Sequence, residues 1–253
     1  MGVRTVFVLL LVVAVVVGTL IGTVGVGGIL LIPALSAITG MSTHMAMGTS
    51  LFSFVFTGLL GTWLYQRHGS IDWRVTIPVC AGGLLAGYPG ALVNAHAPAH
   101  VLNLVLGAII VFAGVYALRP AGGGTRVHEG TVSQTLGLVL IGAVVGFGSG
   151  LTGVGGPVLS VPLMVVLGFA PLTAIATSQV IQITAAASGS VGNMLHGFVD
   201  VSLAVWITGA ELVGVVCGAR LAHAVSGGAL KKMVSVVCIL LGGYLVIRSL
   251  GRF

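Results

Sequence analysis

Apolar positions in this chain come in long runs, and polar ones are confined to the short gaps between them. Runs long enough to span a bilayer cover about 5–24, 44–66, 74–95 and 99–118, and then about 134–152, 172–194, 202–223 and 231–249. A helix needs roughly 20 such residues to cross about 30 Å of hydrocarbon, so each run predicts a membrane span. Between the first and second run of each series lies a shorter apolar piece, 29–38 and 158–167. At ~1.5 Å per residue these pieces reach about halfway across, which predicts broken or re-entrant half-helices.

The two series are copies of one pattern. Gly18, Gly22, Gly25, Gly27 and Gly28 recur 128 positions later as Gly146, Gly150, Gly153, Gly155 and Gly156, and Pro33 recurs as Pro162 with a slip of one residue. Gly40 with Thr49-Ser50 falls on Gly168 with Thr177-Ser178, and His68-Gly69 with Asp72 falls on His196-Gly197 with Asp200. The expected architecture is an all-α polytopic membrane protein of two homologous repeats, 1–120 and 132–253, joined by a polar linker at 121–131. Each repeat holds about four spans plus one half-helix, giving eight to ten membrane helices. Repeats of this size are too long for a solenoid period and match half of a transporter, where the halves meet around one site.

Composition agrees: 57% of the residues are hydrophobic, only 6% are charged, and the mean hydropathy is +1.19. A soluble domain carries roughly a quarter charged residues. The net charge of +6 comes from Lys and Arg scattered singly at the ends of apolar runs, which argues against nucleic acid and for topology determinants. The apolar run at 5–24 resembles a signal peptide but is long and is matched by 134–152, so it is read as a span. Cys80, Cys217 and Cys238 have no C-x-x-C spacing, so neither a disulfide framework nor a metal cluster is expected.

The basic residues divide seven against three under both topologies the runs allow. If each half crosses four times, with the short piece re-entrant, Arg220, Lys231 and Lys232 lie on the poorer face. If the short piece completes a fifth crossing, the halves are inverted and Arg4, Arg248 and Arg252 lie there instead. The first arrangement, eight spans plus two re-entrant half-helices, is the reading adopted.

A helix break in lipid leaves free backbone N–H and C=O groups that must face protein or a wet cavity. The N–H groups at the start of the following half-helix, with about half a positive charge from the dipole, form an anion cradle. Gly25, Gly27 and Gly28, with Gly153, Gly155 and Gly156, are therefore candidate substrate-binding positions; the alternative is tight helix crossing. Thr49, Ser50, Thr177, Ser178 and Gln179 lie a few residues into the next long helix, from which their hydroxyls and amide can reach an oxyanion. Gln182 and Asn193 belong to the second half alone and equally suit helix–helix bonding, and His44 is unrepeated.

Glu211 is the one acid near the middle of a span, and its counterpart is Gly83. An ionisable group there points to proton coupling, with a structural, hydrogen-bonded acid as the alternative. The two His-Gly…Asp motifs read as helix ends and turns. No hydrolase elbow, P-loop or dinucleotide fingerprint is present, so neither an enzyme nor a bound cofactor is expected.

The duplicated Gly-x-x-Gly-x-Gly-Gly ladders, Gly22/Gly25/Gly27/Gly28 and Gly150/Gly153/Gly155/Gly156, each followed by a proline and then Gly…Thr-Ser, resemble the sulfite exporter TauE/SafE family of membrane permeases. That family is related to the toluenesulfonate uptake permeases. The resemblance implies a secondary transporter of a small inorganic or organic sulfur anion, such as sulfite or an organosulfonate, in the bacterial cell (inner) membrane. Where the family often has a third glycine after each Gly-Gly pair, this chain has Ile29 and Pro157, which bears on the shape of the cradle. An anion channel and a non-transporting membrane scaffold or assembly protein are the competing functions.

Overall fold

The computed structural model describes residues 3–25, 27–96 and 132–250, with single positions between 98 and 118. Within them the chain forms α1 (Val3–Val24), α2 (Gly28–Thr39), α3 (Thr43–Arg67), α4 (Trp73–Asn94), α5 (Val132–Thr152), α6 (Pro157–Val166), α7 (Pro171–Leu195), α8 (Val201–Ala224) and α9 (Gly227–Leu250). The expected run at 99–118 lies largely, and the linker at 121–131 wholly, outside the described residues.

Among the described residues five helices are long and apolar enough to cross a membrane: Val6–Val24, Thr43–Arg67, Trp73–Asn94, Gln134–Thr152 and Val201–Ala224. Helix α7 has the length, at 25 residues, but carries Thr177, Ser178, Gln179, Gln182 and Asn193, all buried against other helices. The chain is a multi-pass membrane protein. The two short apolar helices, α2 with 12 residues and α6 with 10, stand where half-helices were expected, each with its proline inside.

Helix boundaries keep the sequence offset. Helix α3 starts at Thr43 and ends at Arg67, and α7 starts and ends 128 positions later. His68 and His196 follow the last helical residue of each, and Gly69 (φ 65°) and Gly197 (φ 72°) make the turns in the left-handed region that glycine adopts without strain. Asp72 and Asp200 then cap α4 and α8 by accepting from the N–H groups of Arg74 and Leu203. The His-Gly…Asp motifs are helix ends, as their sequence suggested.

Packing fixes the helix directions. Gly18 lies against the Glu211 carbonyl and Gly22 against that of Val215, so α1 and α8 run parallel; Gly142 against Val79 and Gly150 against Gly87 give the same relation for α5 and α4. Helices α3 and α7 run antiparallel, with Gly48 near Asn193, Leu51 near Gly189 and Gly58 near Gln179. Helix α8 follows α3 in parallel, since Thr49 accepts from the Asp200 N–H and His223 stacks on His68. Thr76 and Gly87 of α4 meet Thr177 and Ala185 of α7, which are parallel in turn.

Helices α1, α3 and α8 therefore run one way and α4, α5 and α7 the other, so each helix opposes the one 128 residues away. Because α1 and α3 share a direction, α2 must bring the chain back toward the side on which α3 starts. These directions differ from those of the re-entrant arrangement adopted from the sequence.

Candidate functional site

The site is built where α1 and α5 stop. At Gly25 (φ 75°) and Gly153 (φ 67°) the backbone turns left-handed, and Gly155 (φ 90°) does so again, which ends each long helix and starts the short one. The N–H of Gly25 closes onto the Leu20 and Ile21 carbonyls, and that of Gly153 onto Ser149. In hydrocarbon the remaining end carbonyls need donors. Tyr65 Oη donates to the Gly22 carbonyl over 2.6 Å, Gln179 Nε2 to Ile21 over 3.0 Å, and Asn94 Nδ2 to Leu151 over 2.6 Å. Asn94 Oδ1 in turn meets His44 Nδ1 at 2.7 Å.

The two breaks meet inside the protein. A methyl group added to Gly28 would strike the Val154 carbonyl oxygen, and one added to Gly25 would lie 2.6 Å from Val161 and 3.2 Å from the Ser178 hydroxyl. Gly153 packs on Met47, Gly155 on the ring of Phe54, and Gly156 on Ile181. Gly25, Gly28, Gly153, Gly155 and Gly156 are all buried; Gly27, also buried, precedes α2 and folds back on Val17 and Ile21 of α1.

The polar candidates divide. Ser178 reaches the break at Gly25, and Ser50 lies on the face of α3 that packs against the breaks. Met47 touches Gly153 and Phe54 touches Gly155, so Ser50, one turn from each, sits on the same face of α3. Its hydroxyl is fully buried and has no hydrogen-bond partner, whereas Ser178 donates to the Ile175 carbonyl. Thr49 and Thr177 lie away from the centre and from each other: Thr49 accepts from the start of α8, and Thr177 meets Thr76 Oγ1 at 3.0 Å. Gln179 uses its amide nitrogen on Ile21, and its Oε1, buried against Gly61, has no partner.

Glu211 is 0% exposed, and neither carboxyl oxygen makes a hydrogen bond. Ser53 of α3 approaches it, but the Ser53 hydroxyl donates to the Ser50 carbonyl. Glu211 thus sits on α8 at the depth of the breaks, on the flank of α3 next to the face that carries Ser50. Among the described residues no group of three or more His, Cys, Asp or Glu could hold a metal ion.

Three residues were not singled out by the sequence reading. Phe54, Tyr65 and Asn94 bear on the breaks, yet each looks like ordinary helix composition. Their signal is asymmetry: at the offset of 128 they face Gln182, Asn193 and Ala222.

Against this geometry the comparison with known families is decisive: the model described as Sulfite exporter TauE/SafE matches residues 10–245, nearly the whole chain. The chain belongs to the sulfite exporter TauE/SafE family. A family relative, the probable membrane transporter protein YdhB of Bacillus subtilis (strain 168), is 30% identical over 80% of this chain and 83% of its own length. The probable membrane transporter protein YunE of the same organism is 27% identical over 95% of this chain and 97% of its own. The probable membrane transporter protein MJ0441 of Methanocaldococcus jannaschii is 23% identical over 95% of this chain and 97% of its own length. No solved structure matches.

Proposed function

We propose that this protein is a secondary carrier that exports a small sulfur-containing anion, sulfite or an organosulfonate, across the cell membrane. The observation that carries the reading is the fully buried, unpartnered hydroxyl of Ser50 on the face of α3 whose Met47 and Phe54 pack against the two breaks. A buried hydroxyl without a partner costs about 1–3 kcal/mol, so a ligand that accepts its hydrogen bond is favoured there. The starts of α2 and α6 add their dipoles to the same region and set the sign of that ligand as negative. Ser178, Gln179 and the glycines at Gly25, Gly27, Gly28, Gly153, Gly155 and Gly156 complete the binding set. Thr49 and Thr177 belong to it as positioning residues through their bonds to α8 and α4.

In this reading the halves are inverted repeats of five crossings each, and the opposed directions of α3 and α7 support it. Arg67, Arg74, Arg220 and Lys232, all exposed, then cluster at one end of the bundle. By the excess of basic residues that end is cytoplasmic, which puts the starts of α1 and α3 outside. Glu211 is the proton-coupling group, and the family name supplies the substrate class and the direction.

The test is flux from purified protein in liposomes with sulfite, thiosulfate, sulfoacetate, taurine and sulfate. Saturable transport that discriminates among these anions is expected. Very fast unsaturated flux would make the protein a channel, and none would make it a scaffold.

A further inference from the structure

The side chain that fills the meeting point of the breaks is Phe54, near the middle of α3 and 1% exposed. A methyl group on Gly28 would lie 3.0 Å from its Cε2, and one on Gly155 would lie 3.0 Å from its Cδ2, so the ring is wedged between the start of α2 and the turn that opens α6. The position 128 residues on is Gln182, and the two touch: Gln182 Nε2 donates to the Phe54 carbonyl over 2.8 Å and to Thr57 Oγ1 over 2.6 Å. Equivalent positions of two antiparallel helices can meet only where those helices cross. The ring thus stands at the centre of the molecule, with the unpartnered Ser50 hydroxyl one turn earlier on the same face.

Two helix starts and an orphan hydroxyl favour negative charge at this point, and a phenyl ring supplies none. The ring excludes other occupants by volume alone. On a helix an aromatic side chain has two favoured χ1 wells, near 180° and −60°, so a single rotation moves it from one position to another without unfolding α3.

We propose that Phe54 is the specificity-determining gate of this carrier: its ring closes the space between the two breaks, must swing aside for the anion, and sets the largest anion that fits. Gln182, the unlike member of the pair, holds the α3 backbone while the ring moves. The proposal rests on the carrier reading above and adds to it a limit on substrate size.

The experiment reconstitutes wild type, Phe54→Ala, Phe54→Leu and Phe56→Ala in liposomes and measures initial rates for sulfite and for benzenesulfonate. Phe56 is 42% exposed on the same helix, so its variant removes an equal ring that does not touch the breaks. The benzenesulfonate-to-sulfite ratio is expected to rise about tenfold in Phe54→Ala, by an intermediate factor in Phe54→Leu, and not at all in Phe56→Ala. A ratio is independent of how much protein folds, and if the alanine variant fails to fold the leucine variant carries the comparison. Sulfite flux that persists with an unchanged or lowered ratio in the Phe54 variants overturns the gate and leaves the carrier standing. No wild-type flux of either anion overturns both.

Discussion

The phenol of Tyr65, near the end of α3, donates to the carbonyl oxygen of Gly22, three residues before the turn that ends α1, over 2.6 Å. Tyr65 is 0% exposed. Tyr65→Phe removes the donor and leaves a buried carbonyl short of one partner, at a cost of about 1–3 kcal/mol. The expected result is a lower melting temperature in detergent with the protein still inserted; a melting temperature equal to wild type would mean that the carbonyl finds another donor.

The glycines of the two breaks separate packing from binding. A methyl group on Gly28 collides with the Val154 carbonyl, a backbone atom that cannot step aside, whereas on Gly156 it meets Ile181 at 3.4 Å, an ordinary contact. Gly156 also has a helical backbone (φ −57°, ψ −41°) that alanine adopts freely. Gly28→Ala is therefore expected to lose about 1–3 kcal/mol of stability by overpacking. Gly156→Ala should melt as wild type does yet bind the anion more weakly, because the methyl group narrows the approach to the helix start. Unaltered affinity in a well-folded Gly156→Ala protein would remove that glycine from the binding set.

Valine at Gly27 or Gly155 is a harsher form of the same test. Gly27 has the Val17 carbonyl and Ile21 against it, and Gly155 combines a left-handed φ of 90° with the Phe54 ring. Both variants are expected to lose transport. Detergent-stable protein separates loss of binding from loss of fold.

Neither oxygen of the buried Glu211 carboxyl makes a hydrogen bond, and Glu211→Gln keeps its shape while replacing the titratable group with an amide. If it couples proton movement to transport, the Gln variant should bind the anion and show a flat pH–rate profile between about pH 5 and 8. An unaltered profile would assign Glu211 to packing alone.

The seam between α1 and α8 predicts a contrast between two glycines of the same helix. Gly214 lies against the Val15 carbonyl, while Gly209 has nothing within 4 Å. Gly214→Val is expected to destabilise by about 1–3 kcal/mol through overpacking. Gly209→Ala should be neutral or stabilising by up to about 1 kcal/mol, as alanine favours the helix. Denaturation in detergent compares them, and equal effects would place the seam elsewhere.

Much of this arrangement could be read from residue order. Five spans, the two short helices and the helix ends at Asp72 and Asp200 follow from apolar run length, glycine spacing and short polar turns, all local properties. Helix direction was not legible, because Lys and Arg divide equally well under both topologies and only contacts such as Thr49 with Asp200 distinguish them. The separation of Thr49 from Thr177 was not legible for a related reason. Opposed helices carry equivalent residues to opposite ends of the bundle, so a residue repeated off-centre meets its own copy no more than the two ends of a rod meet. Phe54 escaped notice because one phenylalanine in an apolar helix has no local signature, and its importance comes from what crosses it.

The pairing of α1 with α8 and of α4 with α5 has a consequence for how the molecule is made. At a synthesis rate of about 5–20 residues per second, α1 waits in the bilayer for roughly ten to forty seconds before the helix it grips has been translated. Lipid tolerates an apolar helix in the meantime, so insertion and docking are separate stages, as is usual for membrane bundles. No severed half retains its own mate for α1 or α4, and the smallest piece able to reach the native arrangement is both halves together, whether as one polypeptide or as two fragments supplied to the same membrane.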